Sequence, residues 1–211
     1  MEYLVTMTTQ VPAGTTDEAV ADVRAREGAH TRELAAQGHV LRLWRPPLAP
    51  GEWRTLGLFA AADGDELERV LASMPLRVWR TDEVTPLEPH PNDPGAPRDR
   101  AAGDRPPGTE FLTLFTVVVP DGTPGDVVEE TTRGEARSAH ELGQQGHLIR
   151  LWALPSEDGA WHALGLWRAE DGEQLQRMLD SLPLDPWMTV QITPLTPHPT
   201  DPGVNTSSIA R

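Results

Sequence analysis

Two stretches decide the fold: Arg26-Glu27 … His39-Val40-Leu41-Arg42-Leu43-Trp44 and Glu135 … His147-Leu148-Ile149-Arg150-Leu151-Trp152. Each reads as a helix, a turn at Gln37-Gly38 or Gln145-Gly146, and then a strand. At about 100° per residue, Val20, Val23 and Leu34 share one side of the first helix. Glu27 falls in the middle of that side. Val128, Thr131, Glu135 and Leu142 draw the same stripe in the second half. A carboxylate aimed at a core is costly unless it is paired, hydrogen-bonded or protonated. A carboxyl group held near neutrality is also what a general base needs.

The repeat extends well beyond these stretches. Tyr3 aligns with Phe111, an offset of 111 − 3 = 108, and the register holds through Pro12/Pro120, Gly38/Gly146, Trp53/Trp161 and His90/His198. The spacing predicts two repeats, 1–91 and 110–203, a Pro/Gly-rich linker at 92–109, and a flexible tail at 204–211. Within a copy, Tyr3 to Thr9 reads as a strand, and Thr15-x-x-Glu18 as a capping box opening the first helix. His39 to Arg45 and Trp53 to Phe59 read as antiparallel strands. Asp63-x-x-Glu66 opens a second helix with the stripe Leu67, Val70, Leu71 and Met74, which Pro75 stops. Trp79 to Leu87 is the last strand. The order β-α-β-β-α-β predicts an α+β chain of two ferredoxin-like repeats, packed as a fused pseudo-dimer of the dimeric α/β-barrel type.

Composition narrows the chemistry. The 211 residues carry a net charge of −14, which argues against nucleic acid as a partner. All 18 basic residues are Arg, so no lysine base or Schiff base exists, and with no Cys there is no thiolate chemistry. No run is long and apolar enough to span a membrane, and no charged-then-apolar leader opens the sequence. A cytoplasmic protein with a small-molecule substrate is expected. No cofactor and no metal are implied, and further homo-oligomerisation stays open.

Several segments, Ala25-Arg26-Glu27, Gln37-Gly38, Leu43-Trp44-Arg45, Met74-Pro75-Leu76 and Val84-Thr85-Pro86-Leu87 with His90-Pro91, resemble the muconolactone Δ-isomerase family. The second copy repeats them with Glu135, Gln145-Gly146, Leu151-Trp152 and Thr193-Pro194-Leu195 with His198-Pro199. The resemblance implies small, cofactor-free, ferredoxin-like subunits with sites at subunit interfaces. It makes Glu27 and Glu135 the proton-shuttling carboxylates.

Around them the residues suggest a site. By alternation Arg42 shares a strand face with Val40 and Trp44, and Arg150 with Leu148 and Trp152, which suits a ligand carboxylate beside an aromatic wall. His39 and His147 open that strand and are candidate acids for returning the proton; the other reading is a histidine edged by water. Arg26 pairs with Glu27 or holds substrate, and Gly134 stands in its place in copy two. His30 is a partner for Glu27, and His90 and His198 read as loop residues. Arg80 and Asp82 of the last strand either face solvent or line a polar pocket; copy two has Met188 and Val190 there. The expected activity is double-bond migration in a small lactone or enone acid, or a related cyclase or lyase reaction. The alternative is a non-catalytic binding or assembly protein of the same fold.

Overall fold

The computed structural model describes residues 1–95, 106–156 and 159–205. Most of the expected linker and the end of the expected tail lie outside them. The fold is α+β, with two ferredoxin-like repeats. Copy one runs β1 (Glu2–Thr9), α1 (Asp17–Ala36), β2 (Val40–Arg45), β3 (Arg54–Ala60), α2 (Gly64–Ser73) and β4 (Arg80–Pro89). Copy two repeats this as β5 (Thr109–Val117), α3 (Gly125–Gln145), β6 (Leu148–Leu154), β7 (Trp161–Ala169), α4 (Gly172–Asp180) and β8 (Met188–Pro197).

Local chemistry sets the element ends. Thr16, one residue later than expected, caps α1 by accepting from the Ala19 N–H, while Thr15 turns back to the Pro12 carbonyl. Gly38, at φ +83, ends that helix in the left-handed region open to glycine. Asp63 caps α2 through the Glu66 N–H. The expected α2 stripe is buried in full, and Leu71 has no exposure. Burial of one such leucine contributes about 1.5–3 kcal/mol. In β1 the alternation puts Tyr3, Val5 and Met7 inward, against Phe59 and α2. In the second unit Phe111, Phe115 and Trp167 pack on Leu175 and Leu179. Trp167 lies so close over β7 that a Cβ on Gly165 would come within 2.4 Å of its Nε1.

The compact units do not follow the sequence repeats. One comprises Met1–Leu87 with the chain from Thr196 onward, and the other comprises Glu88–Leu195. In the first unit β4, β1, β3 and β2 form an antiparallel sheet, and the end of β8 joins at β2 through Trp44↔Pro197. In the second, β8, β5, β7 and β6 repeat that order, and the end of β4 joins at β6 through Pro89↔Trp152. Each body therefore holds the tail of the other copy.

Each tail is latched by a carboxylate, buried in one case and partly buried in the other. Asp201, with no exposure, accepts from Arg42 Nε at 3.1 Å, Arg42 Nη2 at 3.0 Å, the Leu43 N–H at 3.0 Å and the Gly203 N–H at 3.1 Å. Asp93 makes the corresponding contacts to Arg150 Nε and the Leu151 N–H. Residues 92–95, expected as linker, thus contribute a structural latch.

Candidate functional site

Each unit carries a cavity in the angle between its long helix, its sheet and the captured tail. The first measures about 200 Å³. It is lined by Glu27 from α1, Met74 and Leu76 from the turn after α2, Arg80 from β4, and His198 from the tail. Arg24, Arg45 and Trp53 also line it. The second, of about 160 Å³, is lined by Glu135, Leu182, Leu184, Met188 and the tail residue His90, with Trp161 at its mouth.

Glu27 projects from the buried side of α1, and its side chain keeps 13% exposure. Its Oε2 accepts the Leu76 N–H at 2.8 Å, and its Oε1 lies 3.3 Å from Arg80 Nη1. Arg80 is itself claimed by Asp82, at 2.6 Å and 3.0 Å, and Asp82 also binds Arg77. Burial pushes the Glu27 carboxyl up, while the Leu76 N–H, Arg80 and His30 pull it back. Glu135 accepts the Leu184 N–H at 3.1 Å. Burial raises it too, and no cation opposes that shift. Among the described residues Glu135 has no ion-pair partner.

The backbone contacts of the tail histidines assign them a tautomer. The Thr200 N–H donates to His198 Nδ1 at 3.3 Å, with the Thr200 hydroxyl, able to donate or accept, 2.9 Å from the same nitrogen, and the Asn92 N–H donates to His90 Nδ1 at 3.1 Å. A backbone N–H can only donate, so Nδ1 accepts and the neutral ring carries its hydrogen on Nε2. Burial first, and Arg45 and Arg24 after it, depress His198 to about 4. Burial likewise lowers His90. A neutral imidazole with a free Nε2–H is a hydrogen-bond donor toward a carbonyl or enolate oxygen, and it does not compete with a carboxylate base for the proton.

The structure brings Glu27 and Arg80 together in one cavity and puts Glu135 in the other. The remaining sequence candidates lie elsewhere. His39 Nδ1 bonds the Ala60 carbonyl at 3.0 Å and His147 Nδ1 bonds the Arg168 carbonyl at 2.9 Å, so both hold strand ends, and neither lines a cavity. Arg42 and Trp44 share a strand face as expected, and so do Arg150 and Trp152, but a bulge between Val40 and Arg42, repeated between Leu148 and Arg150, takes Val40 and Leu148 off that face. Leu43 then faces the cavity. Arg42 instead grips Asp201 and stacks over Trp44 at 4.8 Å, and Arg150 grips Asp93 over Trp152 at 4.7 Å. Arg26 is exposed and paired with Asp22 rather than with Glu27. His30 bonds Glu33 and Ser73.

Of the two readings for Arg80 and Asp82, solvent exposure fails, since their side chains are each 2% exposed; Arg80 lines the first cavity and Asp82 is bound to it. Sequence reasoning missed His90, His198, Arg24 and Arg45. The available signal was the His-Pro-x-Asp pattern of both tails, kept at the repeat offset. Arg24 lies over Trp53 at 5.0 Å, and among the described residues neither Arg24 nor Arg45 is ion-paired with a carboxylate. Among the described residues no three His, Asp or Glu cluster as metal ligands, and no helix is long and apolar enough to cross a membrane.

A family model described as muconolactone delta-isomerase matches residues 1–93 and again 109–201. The muconolactone Delta-isomerase of Cupriavidus pinatubonensis (strain JMP 134 / LMG 1197) is 33% identical over 92 residues, covering 44% of this chain and 97% of the relative. That of Rhodococcus opacus is 29% identical over 91 residues, covering 43% and 95%. Among solved structures, a heme-binding protein from Thermus thermophilus covers 95% of this chain and 93% of its own, at 12% identity and a TM-score of 0.57. That likeness concerns the fold alone.

Proposed function

This chain belongs to the muconolactone delta-isomerase family, and on that premise we propose that its first unit is a cofactor-independent isomerase site for a small unsaturated acid or lactone acid. Glu27 removes a proton from a carbon α or γ to a carbonyl. The double bond migrates as the electron pair delocalises, and the Glu27 carboxyl, open to exchange with solvent, delivers a proton to the other end of the allylic system. Atoms and charge balance without an oxidant or reductant.

The other lining residues fit this sequence of events. Arg24 and Arg45 at the cavity mouth hold the substrate carboxylate. The His198 Nε2–H donates to the oxygen on which negative charge develops, where a preorganised donor has most effect. Leu76 and Arg80 hold the Glu27 carboxylate in one orientation. The observation that carries the proposal is the half-buried Glu27 in a cavity whose rim bears two arginines that have no carboxylate partner among the described residues.

The test is turnover of muconolactone, with deuterium incorporation from solvent followed by NMR. Glu27→Gln keeps the shape and the acceptor for Leu76 and should lose about 10²–10⁴-fold in rate. Full turnover in E27Q would refute the role of Glu27.

A further inference from the structure

The two cavities share a frame and differ in charge. At the offset of 108, the three arginines lining the first, Arg24, Arg45 and Arg80, are replaced by Thr132, Ala153 and Met188. Thr9 and Thr55 become Val117 and Ala163, and Met7 becomes Phe115. Common to both frames are the helix glutamate, its N–H partner after the proline turn, the mouth tryptophan and the tail histidine. The second cavity is therefore a built site from which every arginine of the first has been removed.

We infer that the second unit's cavity is a separate binding site for an uncharged molecule about the size of one substituted aromatic or enone ring. Its volume of about 160 Å³ is close to that of a cavity that takes up benzene, ~150 Å³. Phe115, Trp161 and Trp167 offer ring faces and edges for a planar ligand. The Glu135 carboxyl and His90, with Asn92, Thr132 and His162 also in the lining, supply hydrogen-bonding groups that suit a neutral carbonyl or hydroxyl. A ligand carboxylate would be excluded. It would lose its hydration with no cation in the lining to replace it, and it would face Glu135, whose own charged form burial already disfavours. In the first cavity Arg24 and Arg45 reverse that preference.

The methionines make the test local. Met7 and Met74 line the first cavity and Met188 lines the second. The full chain, labelled with 13C at the methionine methyls, is titrated with benzamide and with benzoate, which match in shape and differ in charge. Benzamide should shift Met188 at least about tenfold more tightly than benzoate does, and benzoate should act on Met7 and Met74. Arg24→Ala with Arg45→Ala should abolish the benzoate response and leave the Met188 response to benzamide intact. Ala153→Arg restores the side chain that the first unit carries at the matching place, and should make Met188 respond to benzoate. No Met188 response to benzamide at millimolar concentration, or equal responses to both probes, would overturn the inference. These outcomes are independent of the Glu27 proton-transfer test, since neither probe is turned over and Glu27 is unchanged throughout.

Discussion

Removing the Asp201 carboxylate should do more damage than any other single change to a tail. In Asp201→Ala, Arg42 loses its bidentate partner and the buried Leu43 N–H loses its acceptor. Breaking a buried ion pair by deleting one partner costs roughly 3–5 kcal/mol, and an orphaned buried N–H accounts for ~1–3 kcal/mol of damage by itself. Arg42 is 17% exposed and lies over Trp44, so some of its charge is still accommodated. The expected loss is therefore about 3 kcal/mol, the lower end of the ion-pair range. Asp93→Ala should cost less, because the Asp93 side chain is 16% exposed where that of Asp201 is 0% exposed, so water replaces part of the lost contact. Urea unfolding followed by tryptophan fluorescence gives the two losses. The NMR signal of His198 reports whether the tail leaves the cavity before the sheet unfolds. Asp201→Ala within about 0.5 kcal/mol of the parent, with His198 unmoved, would show that the latch does not hold the tail.

Two pH-dependent results follow from the cavities. Glu135 has its carboxyl raised by burial, so the folded chain holds that proton more tightly than the unfolded chain does. Its contribution to stability is greatest at acid pH and declines as pH rises through the window between the ordinary carboxylate value and the raised one. Glu135→Gln keeps an acceptor for Leu184 and should unfold at higher urea than the parent at about pH 7, with the gap closing near pH 4; a gap that widens toward acid would contradict this. His198 should titrate near 4 and show the Nε2–H tautomer above that. Because its folded value is depressed, its contribution is complete above the ordinary histidine value of ~6.5 and is lost as pH falls from there toward about 4. Protonation at the ordinary value in a 15N-detected titration would refute the buried neutral ring.

Periodicity and repetition were enough to read the elements. The α2 stripe, the β1 alternation and Pro75 are local signals, each written within a few residues, and the structure follows them. The stripe position of Glu27 was legible for the same reason: a helix face is fixed by spacing along one element. Arg42 shows where that logic stops. One extra residue in β2 rotates the side chains that follow it, and nothing in Val40-Leu41-Arg42 announces a bulge. The linker reading of residues 92–95 failed at Asp93, whose partner Arg150 is 57 residues away in sequence.

The sequence by itself determined that there are two copies of one α+β unit, that each aims a glutamate from its first helix toward the sheet, and that lysine and cysteine chemistry are absent. Those follow from spacing and composition, which need no partner. Only the tertiary structure decided which residues join each glutamate. The tails of the two copies are exchanged between bodies, so His198 meets Glu27 and His90 meets Glu135, and the arginines around the first cavity come from separate elements. Each such juxtaposition is a distance between residues far apart along the chain, settled by which buried groups find hydrogen-bonding partners once the backbone has folded.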